Sequence, residues 1–150
     1  MSEQPADGLA ESVRWVSARV EQGYRTGIVA RSHDLIVDEP VELGGTDAGM
    51  TPYELLLAAL SSCMALTMRM YAERKAWPLE GASIHLRTAP AHEPDHEVLR
   101  AGALRVTRIE RRIELRGDLT DAQRTRLVEI ADRCPIKRNL EAGLEVVGAP

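Results

Sequence analysis

Two side chains in this sequence can do nucleophilic or redox chemistry at neutral pH: Cys63 and Cys134, the two cysteines among 150 residues. The thiolate is the reactive form, and a free cysteine ionises near ~8.5, so a reactive one needs a cation or a helix end beside it. Cys63 follows Ser61 and Ser62, a polar patch inside an otherwise apolar run. Cys134 stands just before Pro135, where a short helix can begin; exposed amides and the macrodipole there would favour the thiolate and lower the thiol's pKa. One cysteine with ordinary surroundings and one at a helix start make a workable attacking and resolving pair. A buried thiol can equally be no more than a small apolar filler. A disulfide needs ~4.4–6.8 Å between Cα atoms, which sequence separation does not specify.

Other chemistries find less support. Four histidines (His33, His85, His92, His96) and two cysteines include no C-x-x-C pair, and His92 and His96 lie in a proline-containing loop, so no metal site is expected. The sequence contains no G-x-S-x-G elbow. Gly44, Gly45 and Gly49 precede a helix but follow neither the P-loop nor the dinucleotide pattern, which leaves a structural loop.

The elements that would position the thiols can be read around them. Thr51, Pro52 and Glu54 form a T-x-x-E capping box with proline at the first helical position. It opens a helix from Pro52 to Lys75 in which Arg69 is the one formal charge between Leu55 and Met70. A helix apolar all round is expected to be buried in a core or a subunit interface. Ala58, Ala59, Ser61, Ser62 and Ala65 would let another helix approach closely, for example across a dimer interface. Ahead of it, Ser12–Val20 and Tyr24–Ala30 read as a hairpin and His33–Asp38 as a third strand, with Pro40 ending the pairing. The three glycines of the following loop imply left-handed turns or close backbone approach. Beyond the helix, Ala82–Thr88 alternates as a half-buried strand and residues 89–102 read as an exposed loop. Leu104–Leu115 reads as a strand with a bulge or twist, because its apolar phase shifts before Ile109, although the Ile109/Ile113 spacing also suits a helix. Thr120–Gln123 is a second capping box, opening an amphipathic helix to about Arg133 with Leu127, Ile130 and Ala131 on one face. Pro135–Ala142 forms a short helix capped by Cys134, and Leu144–Val147 a last strand.

Composition sets the frame. The length suits a single domain over residues 1–150, with residues 1–11 loosely held. Phenylalanine is absent and aromatics make up 3%, so the core is aliphatic and methionine-filled. With 19 basic and 23 acidic residues the net charge is -4, which suggests neither nucleic acid nor an anionic membrane as partner. No apolar stretch follows Met1, so the reading is cytoplasmic. In that compartment the cysteines are expected as buried free thiols or a redox pair rather than a structural disulfide.

The two cysteine contexts, SSCMALTMRMYA and ADRCPIKRNL, are specific when taken together. With the runs around them, from ELGGTDAGMTPYELLLAAL and from RIERRIELRGDLTDAQ, the chain closely resembles the OsmC/Ohr superfamily of osmotically inducible and organic-hydroperoxide-resistance proteins over roughly residues 24 to 147. The resemblance implies an α+β fold, an intertwined homodimer with a long central helix flanked by antiparallel sheets, and active sites at the subunit interface. It also implies a thiol-dependent peroxidase of organic hydroperoxides. Cys63 would attack the peroxide and become a sulfenic acid, and Cys134 would condense with it to a disulfide. An external dithiol such as a lipoylated protein would reset the pair, with no resident cofactor. The peroxidase branches carry a Glu ten residues before the first cysteine, holding an Arg against the thiolate. Here that slot is Tyr53, and Glu54 follows. The arginine would come from the N-terminal strands, as Arg25 or Arg31, with Arg31 preferred. The displaced Glu54 motivates the alternative, a non-catalytic or redox-sensing protein of the same fold that binds a small ligand at the dimer interface.

Overall fold

The computed structural model describes residues 15–89 and 108–148. The expectations for residues 1–11, for His92 and His96, and for the strand start at Leu104 lie outside them. The chain divides into two compact units, residues 1–55 and 56–150.

In the first unit β1 (Val16–Val20), β2 (Thr26–Ala30) and β3 (His33–Val37) form an antiparallel meander in the order β1-β2-β3. The registers Val16↔Ala30 and Thr26↔Val37 set the two hairpins. Pro40 ends pairing as expected, and a single 3-10 turn follows at Val41–Leu43. Val37 and Asp38 are the buried end of this sheet. The loop after it returns to the sheet so closely that two of its glycines are obligatory. A Cβ on Gly45 would meet the Glu39 carbonyl oxygen at 1.9 Å, and one on Gly49 the Ile36 carbonyl oxygen at 2.1 Å. Of the two roles anticipated for these glycines, close backbone approach is the one that Gly45 and Gly49 serve.

The long helix α1 (Pro52–Arg74) begins at the capping box read from the sequence. The Glu54 amide donates to Thr51 Oγ1 at 3.2 Å and the Thr51 amide to Glu54 Oε2 at 2.8 Å. By length and composition α1 could cross a membrane, yet Leu60, Met64, Met68 and Ala72 lie in the core of the second unit. This face is spaced four residues apart, one stripe of the helix. Leu66 and Met70 on another face, and Leu56 at the N-terminal end of the stripe, are exposed in the single chain, so the core covers only part of a helix expected to be buried in a core or a subunit interface.

The rest of the second unit covers that stripe. β4 (Gly81–Ala89) and β5 (Arg108–Arg116) pair antiparallel, Ile84 opposite Ile113. Ala82, Ile84, Leu86, Ile109, Ile113 and Leu115 turn to the core, while Arg87 and Glu110 pair on the outer face at 2.6 Å. The register of β5 runs without a bulge through Arg108–Arg116. Its inward row is continuous because Arg111 occupies the place where an apolar residue would stand.

Helix α2 (Asp121–Ala131) starts at the second capping box and buries Leu127, Ile130 and Ala131. Helix α3 (Pro135–Ala142) has Cys134 as its N-cap residue and Pro135 first. The last strand does not form: residues 143–148 have no regular structure, and Val146 is 95% exposed. A strand needs a neighbour for its backbone groups, and Leu144–Val147 pairs with none among the described residues. Among the described residues, three helices and two antiparallel sheets give the expected α+β class.

Candidate active site

Cys63 sits midway along α1 at the edge of the core cluster of the second unit. It is half-buried, whereas Cys134 is fully buried. The fold brings the two together: Cys63 packs against the core cluster that contains Cys134, close enough for each thiol to influence the other's ionisation. Both are free thiols. The stripe of α1 that carries Leu60, Met64 and Met68 and the buried face of α2 position this contact, because Leu127 and Ala131 pack into the same cluster as both cysteines. Thr67 Oγ1, one turn further along the helix, donates to the carbonyl oxygen of Cys63 itself at 2.7 Å.

The electrostatics of Cys134 reverse one expectation. The amides of Ile136 and Lys137 are directed at its sulfur and do favour the thiolate, as a helix start should. They make no full side-chain cap bond. Burial is the largest influence and pushes the Cys134 thiol above its ordinary value, and the neighbouring Cys63 thiol pushes it the same way. Cys134 therefore keeps its proton beside the sulfur of Cys63.

Glu54, Arg25 and Arg31 belong to the first unit. The Glu54 carboxylate is engaged by the Thr51 amide at the start of α1. Arg31 is exposed in the turn between β2 and β3, with φ of 57°. Arg25 is exposed just before β2. Neither arginine makes an ion pair among the described residues.

Several chemically notable residues had no place in the sequence reading. Asp38, 1% exposed, accepts from the Glu39 amide on one oxygen, and from the Thr46 amide, Thr46 Oγ1 and the Ala48 amide on the other. The Thr46 hydroxyl and these amides hold its carboxyl down at about 2. The acid that closes the apolar run Leu35–Val37 was the available signal. Tyr71 packs against the cluster that holds the thiols, and Arg126 Nε donates to its hydroxyl at 3.3 Å. That contact lowers the phenol's pKa. Asp132 and Lys137 flank Cys134, and Arg111 reaches Asp132 from β5. Only the interrupted apolar phase of β5 hinted at Arg111. A groove of about 450 Å³ between β5 and α2, lined by Ile113, Leu115, Arg124, Val128 and Asp132 among others, includes neither cysteine. No cluster of three or more metal-ligating side chains occurs among the described residues.

A family model described as OsmC-like protein matches residues 45–147, more than half of the chain. No match was found among curated proteins. Solved structures do match. A Psychrobacter arcticus protein named for osmotic stress induction and detoxification is 20% identical, with 90% of each chain covered and a TM-score of 0.69. An OsmC-like protein from Mycoplasma pneumoniae is 15% identical over 87% of this chain and 89% of its own, with a TM-score of 0.71. An organic hydroperoxide resistance protein from Legionella pneumophila is 19% identical over 87% and 90%, with a TM-score of 0.60. At these identities the likeness is one of fold.

Proposed function

Because the chain belongs to the OsmC-like family, we propose that it is a cytoplasmic, homodimeric, thiol-dependent peroxidase of organic hydroperoxides. The observation that carries the reading is the contact between a half-buried Cys63 and a buried, protonated Cys134. In the first step the Cys63 thiolate attacks the outer peroxide oxygen. The O–O bond breaks, the alcohol leaves with a proton, and Cys63 becomes a sulfenic acid. In the second step the sulfur of Cys134 attacks that sulfenic sulfur, the S–O bond breaks and water leaves, giving the Cys63–Cys134 disulfide. An external dithiol, such as a lipoylated protein, then returns both thiols and is itself oxidised. A Cys134 that holds its proton suits the order of events: it supports charge on Cys63 first and becomes the attacking group second. Arg31 or Arg25, with Glu54, would complete the activation of Cys63.

The exposed Leu56, Leu66 and Met70 of α1, together with the Leu144–Val147 segment, which pairs with no strand among the described residues, support a second copy of the chain as the cover for these surfaces. One observation favours the alternative of a redox-sensing or ligand-binding protein with a non-catalytic interface pocket, namely that Glu54 is already engaged in capping.

Consumption of cumene hydroperoxide with dihydrolipoamide decides between them. Wild type should turn over, Cys63→Ser should fall to the rate of the reductant alone, and Cys134→Ser should stall after one turnover as a sulfenic acid. A wild type no faster than the reductant alone would remove the peroxidase reading. Light scattering should give twice the 16.5 kDa chain mass; a monomer would sink the dimer.

A further inference from the structure

The inward row of β5 runs Ile109, Arg111, Ile113, Leu115, and a guanidinium set between two isoleucines needs a partner of opposite charge. Arg111 finds it in Asp132: Nη1 donates to Oδ1 at 2.6 Å and Nη2 to Oδ2 at 2.9 Å. Two parallel bonds fix the direction of the carboxylate as well as its position. Lys137 Nζ lies 3.4 Å from the same Oδ1 and 2.6 Å from Glu141 Oε1. The side chains of Arg111, Asp132 and Lys137 are 27%, 42% and 24% exposed, so the network is half-covered rather than fully solvated.

Its place in the chain gives it meaning. Asp132 ends α2 two residues before Cys134, and Lys137 lies in the first turn of α3. The Lys137 amide is one of the two directed at the Cys134 sulfur. The link between the helices is short and tied, with the Arg133 amide donating to the Ile130 carbonyl and the Cys134 amide to the Ala131 carbonyl. One carboxylate thus joins β5, the end of α2 and the start of α3 around a single thiol.

We infer that Asp132, clamped by Arg111 and Lys137, is a positioning residue that holds the Cys134 sulfur against Cys63 and so sets how fast a Cys63 sulfenic acid closes to the disulfide. This role presupposes the peroxidase cycle proposed above. The sulfenic acid has two fates. Cys134 can displace its hydroxyl as water, or the sulfenate can attack a second hydroperoxide, break its O–O bond, release alcohol and become a sulfinate that thiols do not reduce. A clamp that holds Cys134 in reach favours the first fate over the second.

Asp132→Asn in the full chain tests this with two readouts. One is the fraction of Cys63 found as sulfinic acid by intact mass after a fixed number of turnovers with cumene hydroperoxide and dithiothreitol. The other is the equilibrium between the Cys63–Cys134 disulfide and dithiothreitol, which needs no peroxide. A small misplacement of a reacting group costs on the order of tenfold or more, so the sulfinic fraction should rise about tenfold and the disulfide equilibrium should fall about tenfold. Arg111→Lys, which keeps the charge and loses the fork, should lie between wild type and Asp132→Asn. Glu110→Gln breaks an outer-face pair of the same sheet and should match wild type. An Asp132→Asn protein with the circular dichroism, sulfinic fraction and equilibrium of wild type overturns the role. If wild type consumes no peroxide, the peroxidase reading falls, and an unchanged equilibrium in the variant then removes the positioning role as well. If Asp132→Asn does not fold, Arg111→Lys replaces it, and a wild-type equilibrium there overturns the role.

Discussion

Two of the junctions that lead into helices are each organised by one aspartate, in opposite ways. At the junction between β3 and α1, Asp38 is buried and bound by four neutral donors within ten residues of itself. At the junction between α2 and α3, Asp132 is half-covered and held by two cations, one of them 21 residues away on another element. The first carboxylate shapes a loop out of its own backbone, and short-range order of that kind needs no tertiary partner. The second fastens separate elements around a thiol, and its geometry is only as good as the packing of all three. The difference is one of purpose: a local cradle makes a shape, and a long-range clamp sets a distance.

The comparison is broken most forcefully at the glycines of the first junction. Gly45→Ala and Gly49→Ala would drive a methyl to 1.9 and 2.1 Å from backbone carbonyl oxygens, contacts that no side-chain rotation relieves. Each variant is expected to lower Tm by more than ~10 °C or to prevent folding. Thermal unfolding followed by circular dichroism checks this, and wild-type melting in either would mean that the loop does not return to the sheet as closely as described. Asp38→Asn comes next. Its amide group must point a donor at the Glu39 amide or at the donors from Thr46 and Ala48, so Tm should fall on the order of 5–10 °C.

The pH dependence of Asp38 follows from its sign. The folded value of about 2 lies below the ordinary 3.8, so the stabilisation is complete above about pH 4 and is lost as pH falls through about 2. Urea midpoints of wild type should drop steeply across that window, and Asp38→Asn should flatten that part of the profile. A wild-type profile with the same slope as the variant would contradict the cradle.

What was legible in the sequence follows the same division between local and long-range order. Both capping boxes, Thr51 with Glu54 and Thr120 with Gln123, lie within four residues, and both form as read. The proline at the start of α3 and the cysteine before it are equally local. The α+β class was named through the resemblance, and these local elements agree with it. The contact between Cys63 and Cys134 could be named as an expectation only through resemblance, since no spacing rule brings positions 63 and 134 together. The direction of the Cys134 shift was missed because the helix start is visible in sequence and the depth of burial is not; here burial wins. Arg111 was hidden by a sound rule. With Arg111 between them, the Ile109/Ile113 spacing also suited a helix, and only the partner across the fold shows what Arg111 does. The last strand failed for the converse reason: Leu144–Val147 has the composition of a strand but lacks a neighbour among the described residues.

The smallest effect separates the two junctions most cleanly. Raising salt from about 0.05 to 1 M shortens the screening length to ~3 Å, which weakens half-exposed ion pairs and leaves neutral hydrogen bonds to a buried group nearly untouched. Amide exchange at Lys137 and Arg138, at the start of the clamped helix, should therefore quicken about two- to threefold, as expected for an exposed pair worth under ~1 kcal/mol. The amides of Thr46 and Ala48, which donate to Asp38, should hold their rates. The comparison must be made at constant pH, where the intrinsic exchange chemistry is shared by both sets. Equal acceleration at both junctions would mean that salt acts on the whole fold, and the distinction between cradle and clamp would then be one of description only. Acceleration confined to the second junction would tie the position of Cys134 to charge, because the Arg138 amide donates to the Cys134 carbonyl and moves with it.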